Sequence, residues 1–295
     1  MILVTGASGK TGRAAVAALA RAGVATRALV RRPSQIDELT NLGAREGMAA
    51  DMRLAADMRR AVENTRAVYH ICPNLNPDEV EIGRGVFAAA KEAGVSHLVL
   101  HSVLHPQMER MPHHWNKLRV EEALLESGLD FTVVQPAPYM QNLLAGWQRI
   151  TGDGILRNPY PVETRLSLVD LRDVAEAAAL VLTERGHTGA TYELTGTPAF
   201  TQTQVAELLS DALGRPVRAE AEPVAAWEAR ALAAGLADDR RAMLVEMFNC
   251  YASHGLTGNP NTLRWLLGRE PSAVAEFARR TVREQGLASP LPPAA

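Results

Sequence analysis

Over the first half of the chain, short apolar runs alternate with longer stretches in which apolar residues recur every three or four positions. Ile2-Leu3-Val4, Ala28-Leu29-Val30, a weaker run from Ala44 to Gly47, Ala67 to Ile71, His97 to Leu100 and Phe131 to Val134 predict strands. The Ala/Val/Leu-rich stretch closed by Gly23, then Arg53 to Asn64, Asp78 to Ala93 and His113 to Ser127, predict helices. Gly94 and Gly128 stop two of them, and Pro112 suits the first position of the last. Strands alternating with helices of this length predict an α/β fold with a doubly wound parallel sheet. After Pro136 the rhythm changes, with Pro138, Gly152, Gly154, Pro159 and Pro161 as punctuation. Arg165 to Val169 and Thr191 to Leu194 predict strands; Val174 to Leu182, Thr201 to Leu213 and most of Val224 to Gln285 predict helices, with a break near Gly255 to Pro260. Residues 1–152 are assigned to the sheet domain and 153–286 to a smaller, mostly helical α/β region supplying much of a substrate pocket. Residues 287–295, rich in proline, read as a loose tail.

Composition narrows the classes. Of 295 residues, 47% are hydrophobic and 22% charged, which fits a packed globular protein and not a disordered one. Lys and Arg number 31 against 33 Asp and Glu, a net charge of -2, so no bulk attraction to nucleic acid or acidic lipid is expected. Two cysteines, Cys72 and Cys250, are too few for a disulfide framework and fit a reducing compartment. No apolar run approaches the ~20 residues of a membrane span, and no basic segment precedes the first strand. A cytoplasmic protein, monomer or homodimer, is expected. Arginine dominates the basic residues; only Lys10, Lys91 and Lys117 are lysines, so each draws notice.

The strongest chemical signal is Thr5-Gly6-Ala7-Ser8-Gly9-Lys10-Thr11-Gly12, placed between the first strand and the first helix. Gly6 permits a tight turn, Gly9 lets backbone approach a pyrophosphate, and Gly12 lets helix and sheet pack closely. The helix N-terminus then offers N–H groups to the anion. Ser8, Lys10 and Thr11 belong to the same loop. Gly9-Lys10-Thr11 is not a nucleoside-triphosphate loop, because Val4 stands where that loop needs glycine. A dinucleotide-binding Rossmann fold is therefore expected. Its cofactor preference is read after the second strand, where NAD-preferring folds carry an acid for the 2′-hydroxyl. Arg31-Arg32-Pro33 stands there instead, and the Arg31 guanidinium suits a 2′-phosphate, so NADP(H) is expected. Asp51 and Met52 are expected to flank adenine, and Cys72-Pro73-Asn74, with Pro73 at its centre, to line the cofactor cleft.

These segments together resemble the NmrA-like branch of the atypical short-chain dehydrogenases. The resemblance rests on Val4 to Gly12, Arg31-Arg32-Pro33 and Gly94-Val95-Ser96-His97-Leu98-Val99. It continues through Lys117 with Glu121-Glu122-Ala123-Leu124, Ser127 to Pro136, Asn142, and Val169-Asp170-Leu171-Arg172-Asp173-Val174-Ala175. It implies the fold and NADP(H). For activity it implies either an NADPH-dependent reductase of a conjugated, aromatic or quinonoid small molecule (quinone, enone, imine or dye), or a non-catalytic NADP(H)-binding redox sensor.

Ordinary short-chain dehydrogenases use Tyr-x-x-x-Lys and a serine from the preceding strand end. Here Lys117 occupies the lysine position, His113 the tyrosine position, and Ser102 the serine position. Lys117 is expected to hold the nicotinamide ribose. His113 is either a proton donor or a polar helix residue, and Ser102 either orients a substrate carbonyl or simply ends a strand. Reducing a simple ketone creates an alkoxide that needs a placed acid. A conjugated acceptor spreads its charge, so a missing tyrosine favours conjugated acceptors. Pro136 and Tyr139 are expected to border the nicotinamide. His70, His97, His101, His105, His113 and His114 fall in one segment, but without matched Cys or acidic ligands no metal site is expected. Trp227, Met243, Met247, Phe248, Tyr251 and Trp265 wall a pocket or, by default, form core.

Overall fold

The computed structural model of the chain describes residues 1–285; the tail expected at 287–295 lies outside the described residues. In chain order the elements begin β1 (Ile2–Val4), α1 (Lys10–Arg21), β2 (Thr26–Val30), α2 (Ile36–Asn41), β3 (Glu46–Ala49), α3 (Ala55–Val62) and β4 (Ala67–His70). They continue with α4 (Glu79–Glu92), β5 (His97–His101), α5 (Pro112–Ser127), β6 (Phe131–Pro136), α6 (Trp147–Asp153) and β7 (Ile155–Asn158). Then come α7 (Leu171–Thr183), β8 (Thr191–Leu194), α8 (Gln202–Leu213), β9 (Arg218–Ala221), α9 (Val224–Ala233), α10 (Asp238–His254), α11 (Asn261–Leu267) and α12 (Val274–Glu284). Short 3-10 turns cover Pro33–Gln35 and Met140–Gly146.

The chain forms two compact units. The first comprises Met1–Pro136 and Leu171–Leu194; the second comprises Ala137–Asp170 and the residues from Thr195 onward. The expected single division at 152 does not coincide with these units, because the chain re-enters the first to add α7 and β8.

In the first unit a seven-stranded sheet runs β3-β2-β1-β4-β5-β6-β8, and every pair is parallel. Strands covered on both faces read as continuous apolar runs, and Ile2, Leu3 and Val4 are wholly buried. One face packs Leu3, Val68, Leu98 and Leu100 against Met58, Val62, Ile82, Val86, Val120 and Leu124 of α3, α4 and α5. On the other, α7 packs on α1. Gly128 ends α5 in the left-handed region, at φ 70°. The order reverses at β1, whose neighbours are β2 and β4. Such a reversal places a ligand crevice outside the carboxyl ends of those strands.

The second unit has its own core, with Trp147, Ile150, Leu156, Leu168, Val205, Leu209, Phe277 and Val282. Phe248 and Tyr251 are buried and pack around Tyr160, as the default reading expects, while Trp227, which meets Phe248 edge-on, is only half-buried. Trp265 is not: it is 74% exposed. Arg165 to Val169 is not the expected strand. Leu166 makes single bridges to Phe200 and Leu256, and Val169 one to Tyr139. A two-stranded parallel sheet of β7 and β9 was not legible: Arg218-Ala219-Glu220-Ala221 alternates, but over four residues and with alanine, which is depleted in strands.

Candidate active site

The loop from β1 to α1 has the geometry that its glycines imply. Gly6 sits at φ 57°, and a Cβ there would lie 2.6 Å from the Ile71 carbonyl oxygen. A Cβ on Gly12 would lie 2.5 Å from Ala7 Cα, so helix and loop touch where only hydrogen fits. Gly9 differs: an added Cβ would meet only the Gly6 oxygen, at 3.4 Å, leaving open space for a ligand's approach. Gly9 caps α1 without a side-chain hydrogen bond, and the first turn carries no acid. A helix N-terminus left uncapped by side chains and free of negative charge fits a bound pyrophosphate. Lys10 and Thr11 open α1, with Lys10 exposed and Ser8 and Thr11 half-buried. The Ser8 carbonyl accepts from Arg13 Nε at 3.1 Å.

At the next strand end, Arg31 is exposed and has no ion-pair partner among the described residues. Strands β2 and β3 pair Val30 with Ala49, and Ala50 N donates to the Val30 oxygen, so Arg31 and Asp51 leave adjacent strand ends. Asp51 is not bare: Arg53 grips its carboxylate, with Nη2 2.7 Å from Oδ2 and Nε 3.1 Å from Oδ1. Those hydrogen bonds hold the Asp51 carboxyl at about 2, below its ordinary range. Met52 is buried beside it.

At the carboxyl ends of β4 and β5 lies a polar network. Lys117, from α5, is 2.5 Å from the Glu79 carboxylate of α4 and donates to the His101 carbonyl at 2.9 Å. The pair is buried, with Lys117 11% and Glu79 3% exposed. The Ser102 hydroxyl donates to Glu121, which also accepts from Gln135 Nε2 at 2.9 Å. Burial raises the Glu121 carboxyl above its usual range. Tyr69 OH and His101 Nδ1 share a 2.6 Å hydrogen bond, and His70 Nδ1 and Thr5 Oγ1 share one at 3.0 Å. His113 stacks edge-on against His114, and its Nδ1 is buried without a hydrogen-bond partner. Burial drives His113 down to about 3 and His114 to about 4, and it drives His70 and His101 to about 3. All four imidazoles are therefore neutral near pH 7. Cys72 is buried after β4, and burial pushes its thiol up to about 12; Pro73 follows it, half-buried. The loops after β4 and β5 each hold a non-glycine residue in the left-handed region, Leu75 at φ 55° and His105 at φ 53°. Strained backbone of this kind gathers at functional sites. Pro136 closes β6, in register with Leu194.

Tyr139 belongs to the second unit, half-buried before the 3-10 turn, where the Tyr139 oxygen accepts from Asn142 N. The loop glycines, Arg31, Asp51, Met52, Pro73, Ser102, His113, Lys117 and Pro136 all belong to the first unit. Glu79, Glu121, Gln135 and Arg53 were missed as site residues. Helical spacing held a signal for two of them. Glu79 shares the buried face of Ile82, Gly83 and Val86, and Glu121 is one turn from Lys117. Among the described residues no group of three or more His, Cys, Asp or Glu is arranged to hold a metal ion, and no helix is long and apolar enough to cross a membrane.

The model of the NmrA-like family matches residues 1–284. The chain is 32% identical to an NAD(P)H azoreductase of Xenophilus azovorans over 95% of this chain and 97% of that protein. It is 35% identical to a (4-alkanoyl-5-oxo-2,5-dihydrofuran-3-yl)methyl phosphate reductase of Streptomyces griseus, over 75% of this chain and 76% of the other. Among solved structures, the NADPH-dependent quinone oxidoreductase of Escherichia coli complexed with NADPH superposes with a TM-score of 0.84. Its sequence is 27% identical, over 95% of this chain and 99% of that one.

Proposed function

The chain belongs to the NmrA-like family, and on that premise we propose that it is an NADPH-dependent reductase that passes hydride to a conjugated small molecule of the quinone, enone, imine or dye type. A NAD(P)H-dependent oxidoreductase activity agrees with the three relatives, whose names join a nicotinamide cofactor or a reduction to azo, dihydrofuranone and quinone acceptors. In each of those acceptors an unsaturated system can spread the added charge.

The residues divide the work by position. Backbone N–H groups of the Gly6–Gly12 loop and the α1 N-terminus hold the pyrophosphate. Arg31 holds the 2′-phosphate by charge-assisted hydrogen bonds, while Asp51 and Met52 flank adenine. An ammonium carries three donors; Lys117 donates one to the His101 carbonyl and is ion-paired with Glu79, and a remaining donor would serve the nicotinamide ribose. Pro73 and Pro136, at the carboxyl ends of β4 and β6, would border the ring. The bound reduced nicotinamide supplies the hydride.

The observation that carries the acceptor class is the absence of a poised acid at the two positions where one is expected. The Ser102 proton is directed to Glu121, and burial keeps His113 neutral, so it has no imidazolium proton to give near pH 7. Hydride added to one end of a conjugated system leaves charge at the other, where water protonates it; an isolated ketone has no such relief. The same reading includes a cytoplasmic protein, monomeric or homodimeric, in keeping with the presence of only two cysteines. The test follows NADPH at 340 nm against a quinone, an enone, an imine, a dye and a simple ketone. Turnover of conjugated acceptors with the ketone inert is expected. Equal turnover of the ketone would overturn the acceptor class, and binding without any turnover would favour the sensor.

A further inference from the structure

The turn between β3 and α3 carries an arrangement of which the cofactor reading uses only Asp51 and Met52. Asp51 and Arg53 are two residues apart, in a turn closed by Leu54 N donating to the Asp51 oxygen. The Arg53 guanidinium meets both carboxylate oxygens, and its backbone N–H donates to Oδ1 at 3.0 Å. Both groups are exposed enough to meet a ligand, Arg53 63% and Asp51 37%. Asp51 leaves the strand beside Arg31, and the two side chains are within electrostatic reach. The neighbouring Asp57 has its own partner, Arg60 Nη2 at 2.5 Å, and Asp78 faces Arg53 at longer range.

A bare Asp51 carboxylate would do two unfavourable things to a 2′-phosphate: repel it, and compete with it for Arg31. We propose that Arg53 is a specificity-determining residue for the cofactor's 2′-phosphate, acting by clamping and neutralising Asp51 so that Arg31 remains available to that phosphate. The inference rests on the reading that Arg31 holds the 2′-phosphate. It assigns Arg53 no direct contact with the cofactor, which makes the sign of its variants distinctive.

Dissociation constants for NADPH and NADH, measured by fluorescence titration at low salt, test it in four variants of the full chain. Arg53→Ala unmasks the acid and should weaken NADPH about 5- to 10-fold while NADH changes less than about twofold, the size expected for one exposed charge near another. Asp51→Asn removes the acid and frees the guanidinium, so NADPH should tighten about two- to fivefold by the same reasoning. The double variant Asp51→Asn/Arg53→Ala should return within about threefold of wild type, and moderate salt should shrink all three effects. Equal weakening of both cofactors by Arg53→Ala overturns the proposal. So does a loss that persists in the double variant, since it would mean that Arg53 itself holds the phosphate. Arg31→Ala tests the premise separately: if it leaves the NADPH preference unchanged, the 2′-phosphate site lies elsewhere and the proposal falls with it. If Arg31→Ala abolishes the preference and Arg53→Ala does not alter it, only the proposal fails. The pair is exposed, so unchanged melting temperatures should show that all variants fold.

Discussion

The Lys117 ammonium, 2.5 Å from a carboxylate that is itself 3% exposed, has a structural duty as well as the proposed ribose contact. Removing one partner of a buried ion pair leaves an uncompensated charge, at a cost of about 3–5 kcal/mol. Lys117→Ala should therefore lower stability by about that amount in urea denaturation, and loss of cofactor binding alone would not prove a ribose role. Glu79→Leu/Lys117→Met separates the two. The apolar pair should regain most of the stability while NADPH binding stays weak; if binding returns with stability, Lys117 holds no ribose. At this scale the sequence announced Lys117 through the scarcity of lysine and the spacing from His113. It did not announce what Lys117 touches, because a partner on another helix depends on how α4 and α5 pack. Ser102 carries the same lesson: its place at the end of β5 was legible, and the direction of its hydroxyl toward Glu121 was not.

Among elements, the β1–α1 junction makes the sharpest contrast. Its three glycines look alike in the sequence, yet the space around them differs. Gly12→Ala would press a methyl group to 2.5 Å from Ala7 Cα, so overpacking should cost about 1–3 kcal/mol or more in stability. Gly9→Ala meets only the Gly6 oxygen at 3.4 Å, so the fold should survive while the methyl group obstructs the pyrophosphate. Thermal melts paired with NADPH titration check both, and a Gly9→Ala protein that binds NADPH normally would move the anion away from this loop. The alternation up to β6 was legible because most of its strands are buried apolar runs and most of its helices stop at glycine, β3 and α3 being the exceptions. The second unit was less so. β7 and β9 are short and half-exposed, and Arg165 to Val169 looks like a strand but makes only single bridges.

For the molecule as a whole, the buried histidines set a response to acid. His70, His101 and His113 are held at about 3 and His114 at about 4, against 6.5 for the unfolded chain. The folded state thus binds fewer protons than the unfolded state below pH 6.5. Stability is fully present above that value and falls as pH drops toward 4, by up to about 1.4 kcal/mol per unit for each histidine. Urea midpoints at pH 7.5 and 5.5 should differ strongly, and a flat profile would show that these imidazoles titrate normally. The division of the chain has a second consequence at this scale. Because Leu171–Leu194 returns to the first unit, a fragment ending at residue 152 would lack β8, exposing the β6 edge, and would lack α7, exposing the face of α1 that it covers. The second unit is, in effect, two insertions: one between β6 and α7, the other after β8. Exchanging those two segments with a relative should leave the seven-stranded sheet whole, whereas a single cut at residue 152 would part β1–β6 from α7 and β8.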